Sequence, residues 1–169
     1  MIVVVNDANI LIDLVKLQLL PHFFALDLEF HTSSLILEEL HTEQLVQLEV
    51  YLQNETLKVV NFTDEELITI ALLQLEKPAL SEQDCSAIVS AQKVDGSLIT
   101  SDKNLRKFAT IKKLEVRGHL WVLDLMVEQK TITGEMAVEK LSYLRTNINP
   151  RLGLPKHECD LRIKAWQDF

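Results

Sequence analysis

Short uninterrupted apolar runs, each followed by a stretch of helical period, constrain this chain more than any other feature of its sequence. The first run, Ile2-Val3-Val4-Val5, reads as a buried strand that stops abruptly at Asn6-Asp7. Further strands are expected at 29–32, 57–61, 97–100 and 114–117, with helices at 8–17, 19–25, 63–75, 81–94 and 102–111 between them. Ser34 is expected to cap a helix that carries Ile36, Leu37 and Leu40 and runs on through Leu52. Thr63 with Glu66 makes a capping box, and Ser81 with Asp84 resembles one. The remainder reads as helices at 120–129, 134–146 and 158–167. Strands that alternate with helices pair in parallel through right-handed crossovers, so the fold class is α/β with a layered sheet. Ligands of such sheets bind outside the carboxyl ends of the strands, at the point where strand order reverses.

With 169 residues the chain fits one domain, and 47% hydrophobic residues suffice for a core without disulfides or structural metal. No stretch has the uninterrupted apolar length of a membrane span, and the N-terminus lacks the basic and small-residue features of a signal peptide. Cys85 and Cys159 have no scaffold-like spacing, so a reducing cytoplasm is the expected compartment. The net charge of −8 argues against coating nucleic acid broadly. It is unevenly spread. Lys103, Arg106, Lys107, Lys112, Lys113 and Arg117 stand against only Glu115, a local +5 that leaves −13 for the rest. The stretch reads equally as a solvated helix face or a phosphate-contacting patch, and its place just after an acidic strand end favours the second.

Four acids are placed where acids are not expected. Asp7 directly follows an all-apolar strand; as a helix cap it would be ordinary. Asp102 repeats the arrangement after Ser97-Leu98-Ile99-Thr100-Ser101, so both can face one crevice. Asp84 precedes Ala87, Ile88 and Ala91 by three, four and seven residues and shares their apolar stripe, although an acid in a first helical turn also suits the dipole. On a helical wheel Glu38 falls roughly opposite the apolar face of Leu35, Ile36, Leu37 and Leu40, whereas Glu39 falls at its edge, about 85° from its centre. At an effective dielectric of 20, each pair of carboxylates about 4 Å apart costs on the order of 4 kcal/mol without a cation. Oxygen-only ligands select Mg²⁺ or Mn²⁺ over zinc. The five histidines show no ligand spacing, no Ser–His–acid arrangement stands out, and neither a P-loop nor a glycine-rich dinucleotide loop is present.

These pieces, taken in order, resemble the PIN-domain family. They are Val5-Asn6-Asp7-Ala8-Asn9-Ile10-Leu11-Ile12-Asp13, Leu37-Glu38-Glu39-Leu40, Leu80-Ser81-Glu82-Gln83-Asp84-Cys85-Ser86-Ala87-Ile88 with Ala91, and Leu98-Ile99-Thr100-Ser101-Asp102-Lys103-Asn104-Leu105-Arg106. The later Arg117-Gly118-His119-Leu120-Trp121-Val122-Leu123 is similar to the segment that closes many bacterial members. The resemblance implies a three-layer α/β/α fold on a central parallel sheet, with extra C-terminal helices: a PIN-like nuclease domain over 1–130 and a helical extension over 131–169 packed on it. It implies a ribonuclease that cuts single-stranded RNA with Mg²⁺ or Mn²⁺, in which Asp7, Glu39, Asp84 and Asp102 are the catalytic, metal-binding acids. Asn9, Thr100 and Ser101 are then supporting or phosphate-contacting groups, Lys103, Arg106 and Lys107 bind RNA, and Asp13 lies on the exposed side of the first helix. Many bacterial members are VapC-like toxins held by a small antitoxin protein. The partners to expect are therefore an RNA substrate, such an antitoxin and a second copy of the chain, and no membrane.

Two rivals stand beside this reading. One is a module that keeps the fold to bind a protein without catalysis. The other is a different Asp-centred α/β class, but a dehalogenase-like phosphatase wants an acid where Asn9 stands, and a receiver wants an acidic pair where Asn6-Asp7 supplies one.

Overall fold

The computed structural model describes residues 1–168. Five strands, β1 (Ile2–Asn6), β2 (Leu28–Ser33), β3 (Leu57–Val60), β4 (Ser97–Ile99) and β5 (Val116–Arg117), form one sheet in the order β3-β2-β1-β4-β5, every pair parallel. Their side chains explain the pairing: Val4, Val5, Leu98 and Ile99 are fully buried, as strands covered on both faces require.

The chain leaves β1 through α1 (Ala8–Lys16) and α2 (Leu20–Phe24) and moves outward to β2. It continues through α3 (Ser34–Leu37) and α4 (Thr42–Gln53) to β3, then returns through α5 (Asp64–Glu76) and α6 (Glu82–Val94) to β4, on the far side of β1. Right-handed crossovers that run in opposite directions place their helices on opposite faces. Hence α6 packs across β1, β2 and β4 on one face, while Ile10 and Leu14 of α1 meet Val122 and Leu123 of α8 (His119–Glu128) on the other. The result is the expected three-layer α/β/α arrangement, and the direction of winding reverses between β1 and β4. After β4 come α7 (Lys103–Ile111) and β5, and after α8 come α9 (Gly134–Tyr143), a π-helical turn at Leu144–Ile148 and α10 (Lys156–Trp166). Among the described residues no helix is long and apolar enough to cross a membrane.

Gly96 is required where β4 enters the sheet, since a Cβ there would lie 2.9 Å from the Val3 carbonyl oxygen. Asp95 before it takes the left-handed conformation that ends α6 (φ 52°).

Two local expectations need correction. The helix foreseen from Ser34 through Leu52 is broken. Its cap is Ser33, whose Oγ accepts from Ile36 N at 2.9 Å, and α3 stops at Leu37. Bonds from Glu38, Glu39 and Leu40 to the carbonyls three residues earlier then tighten the chain into a turn before α4 begins. Glu39 therefore lies on that turn, as an exposed residue, and not on a continuous helix whose wheel would fix its direction. The helix expected over 134–146 changes character instead, passing into the π-helical turn that closes with Asn149 N on Leu144 O at 2.8 Å.

Candidate active site

The reversal point lies between the carboxyl ends of β1 and β4, and both ends deliver acids. Asp7 N continues the ladder by donating to Ile99 O at 3.1 Å, which places the Asp7 side chain beside the segment after β4. Its Oδ1 accepts from Ala8 N and its Oδ2 from Thr100 Oγ1, both at 2.8 Å. Thr100 Oγ1 in turn accepts from Asp102 N at 3.2 Å, and Asp102 Oδ1 caps α7 by accepting from Leu105 N at 2.8 Å. One threonine hydroxyl thus ties the two strand-end acids to a single frame.

The other two acids arrive from α6 and from the turn after α3. Ser81 and Asp84 form a reciprocal capping box, Asp84 N donating to Ser81 Oγ and Asp84 Oδ2 accepting from Ser81 N, each at 3.0 Å. Ser86 donates its hydroxyl proton to Gln83 O at 2.7 Å, so the 2.8 Å contact between the hydroxyls of Ser33 and Ser86 has Ser33 as donor. That buried bond fastens the start of α3 to α6 and so sets the Glu39 turn beside Asp84.

The four carboxylates act on one another through space. Burial, chiefly, and then the charges of Asp84 and Glu39, push the Asp7 carboxyl up to about 7 against the Thr100 bond that holds it down. Partial burial and Asp84 raise Glu39, while burial and Asp102 raise Asp84 despite the bonds from Ser81. Asp7 is the hub, at 2% exposure. Through these charges Asp84 is felt at Asp7 and Glu39, and Asp102 at Asp84, all near the strand-order reversal. The expected quartet is not closed into a cage: among the described residues no three carboxylates, imidazoles or thiols converge closely enough to hold an ion. Helix capping holds one oxygen each of Asp84 and Asp102, and among the described residues Asp84 Oδ1, Asp102 Oδ2 and both oxygens of Glu39 have no hydrogen-bond partner. An all-carboxylate donor set, in which neighbouring charge raises the proton affinity of Asp7, Glu39 and Asp84, fits a hard divalent cation by donor chemistry.

The remaining expected residues divide. Asn9, Ser101, Asp102 and Lys103 line a polar cavity of about 380 Å³ with Asn149 and Arg151, and Arg106 lies on a neighbouring cavity that shares Ser101 and Lys103. Lys107 is exposed and borders neither. Arg106 Nη1 donates to Thr100 O at 2.7 Å, so this cation also braces the loop that carries Thr100.

Asp13 corrects the sequence reading outright. Its expected exposed position is buried, at 3% exposure, and its Oδ2 accepts from His119 Nε2 at 2.8 Å and from Asn149 Nδ2 at 3.2 Å. With Nε2–H donating to Asp13, Nδ1 of a neutral ring accepts the Ser101 hydroxyl at 2.7 Å, while Ser101 Oγ accepts from His119 N at 3.2 Å. A Ser–His–acid chain thus exists that the sequence did not disclose. It ties α1, the loop before α7, the start of α8 and the end of the π-helical turn to one another. Gly118 permits the approach, for a Cβ there would lie 2.7 Å from Ser101 Oγ and 3.1 Å from Arg106 Nη1. A signal for Asp13 was available: it stands three residues after Ile10 and four before Leu17, both buried. Nothing comparable marked His119 as its partner, 106 positions away.

A family model, DUF3368, described as a PIN domain, matches residues 3–153. No curated protein matches the chain.

Proposed function

This chain belongs to the PIN-domain family, whose members are generally nucleases, and on that premise we propose that it hydrolyses phosphodiester bonds of single-stranded RNA in a reaction that requires Mg²⁺ or Mn²⁺. The observation that carries this reading is the buried Asp7 at the strand-order reversal, raised to about 7 by burial and by the carboxylates of Asp84 and Glu39. Isolated surface acids do not behave so; acids gathered for a cation do. Asp7, Glu39, Asp84 and Asp102 would hold the ion, which when bound supplies polarisation of the phosphate and a lowered pKa for an attacking water. The chain's own groups do the rest. Thr100 fixes the orientation of the Asp7 carboxylate, and the capping bonds of Asp84 and Asp102 hold theirs. Asn9 and Ser101 stand at the rim, where a phosphate would pass, and Lys103 and Arg106 offset its charge. Incubation of mixed single-stranded RNAs with the protein should give cleavage in Mn²⁺ or Mg²⁺ and none in excess chelator. Full activity in chelator, or none in any divalent metal across several RNAs, overturns the proposal.

A protein partner is favoured by a separate observation. On α5 the side chains of Ile68, Leu72 and Leu75 recur at helical spacing and are 59%, 59% and 76% exposed. Such a stripe fits a second copy of this chain, or the small antitoxin protein that the family resemblance implies. If the stripe pairs two copies, sedimentation analysis should give a dimer that Ile68→Glu with Leu72→Glu converts to monomer. A monomeric wild type at micromolar concentration excludes the dimer and leaves the antitoxin as the partner to test.

A further inference from the structure

Beside the acidic crevice lies a second cavity, of about 390 Å³, a size typical of small-ligand sites. It shares Ser101, Lys103 and Leu152 with the polar cavity that contains Asn9 and Asp102, so the two are contiguous. Its charge is uneven. Arg162 is neutralised by Asp124 and Glu158, each at 2.7 Å, and Arg117 is paired with Glu115. Lys103 and Arg106 have no carboxylate partner among the described residues. The cavity therefore offers two uncompensated cations, one of which, Lys103, also lines the polar cavity with Asp102. On the same lining the Arg117 guanidinium lies over the Trp121 ring, 5.6 Å from its centroid.

Part of the lining is built late in the chain. Gly153, at φ 68°, brings the 152–155 segment against Lys103, whose Nζ would stand 3.4 Å from an added Cβ. Arg162 and Trp166 of α10 both donate to Asp124 of α8, at 2.7 and 3.0 Å, which fastens that part to the core. An aromatic–guanidinium pair beside two cations without carboxylate partners is the chemistry that recognises a nucleotide, base by stacking and phosphate by charge.

We propose that this cavity is a nucleotide subsite, holding one nucleotide of a single-stranded RNA next to the acidic crevice, its phosphate at Lys103 and Arg106 and its base against Arg117 and Trp121. The assignment of the strand as its source rests on the RNA-cleaving reading; the recognition of a nucleotide does not. It also gives α10 and the segment before it a task, since they complete the lining of the site.

The test is fluorescence anisotropy of a short labelled oligoribonucleotide in excess chelator, so that binding is read without cleavage. Trp121→Leu and Arg117→Ala should each weaken binding about ten-fold, within the range expected for loss of one base stack. Lys103→Ala should weaken it and reduce the salt slope by about one. Arg117 is half-buried on the two-residue β5 and outside the core, so its variant remains informative if Trp121→Leu fails to fold. A mononucleotide should compete better than ribose phosphate, which lacks the base. Tighter binding of the strand than of the mononucleotide identifies the strand as ligand, and the reverse identifies a free nucleotide. Wild-type affinity in both Trp121→Leu and Arg117→Ala, or equal competition by ribose phosphate, overturns the subsite. Loss of metal-dependent cleavage with binding intact sinks the nuclease reading alone.

Discussion

Asp7→Asn is expected to abolish RNA cleavage, by more than about a hundred-fold, and at the same time to melt above the wild type when metal is chelated at pH 8. The opposite signs follow from one cause. The Asp7 carboxyl is held near 7 in the folded chain against 3.8 for the ordinary group, by burial first and by Asp84 and Glu39 after it. Between those values the folded state keeps a proton that the unfolded state has released. Wild-type stability therefore falls as pH rises from about 4 to about 7, and above 7 the full penalty is present, at most about 4 kcal/mol. Asparagine carries no charge and escapes it. Its carbonyl can keep the bond from Ala8 N, but it cannot accept from Thr100, which returns about 1 kcal/mol of the gain. A net rise of up to about 10 °C at pH 8, shrinking toward nothing at pH 5, is the expected calorimetric result. Mn²⁺ should then stabilise the wild type, by about 2.7 kcal/mol at a hundredfold excess over its dissociation constant, and the variant much less. A shift that is the same at both pH values would show that Asp7 does not carry the strain assigned to it.

Asp13→Ala should be the most destabilising of the polar substitutions. It leaves His119 Nε2–H and Asn149 Nδ2–H without their acceptor in the interior, and each orphaned donor costs about 1–3 kcal/mol. At about 2–4 °C per kcal/mol the melting temperature should fall by roughly 10 °C. Replacing both partners with leucine removes the orphaned groups along with the bond, so the double variant should recover much of the loss. If instead the two single effects simply add, measured by urea titration, then Asp13 and His119 do not stabilise each other and the network is incidental.

The strands and most of the helices were legible because their causes are local. Ile2–Asn6 is apolar and β-branched, Thr63 and Ser81 cap the helices that follow them, and the alternation of the two periods forces parallel pairing. Two of the acids were legible for the same reason: Asp7 and Asp102 end apolar runs, so any parallel sheet sets them at its carboxyl edge. The break after Leu37 was not legible, because the bond between Ser33 and Ser86 that seats α3 spans 53 residues and the apolar spacing continues across the turn. Asp13 was misplaced because a charge on a helix reads as solvent-facing until its partner is known, and His119 is supplied by an element 106 positions later. The second cavity belongs to the same class. Its cations lie in α7 and β5, but part of its lining comes from residues after 150, and no periodicity connects them. Patterns that neighbours in sequence create were decided by the sequence alone. Pairs of polar groups that only meet once the apolar faces have packed were decided by the tertiary structure, because the burial that makes each bond necessary is itself a product of the packing.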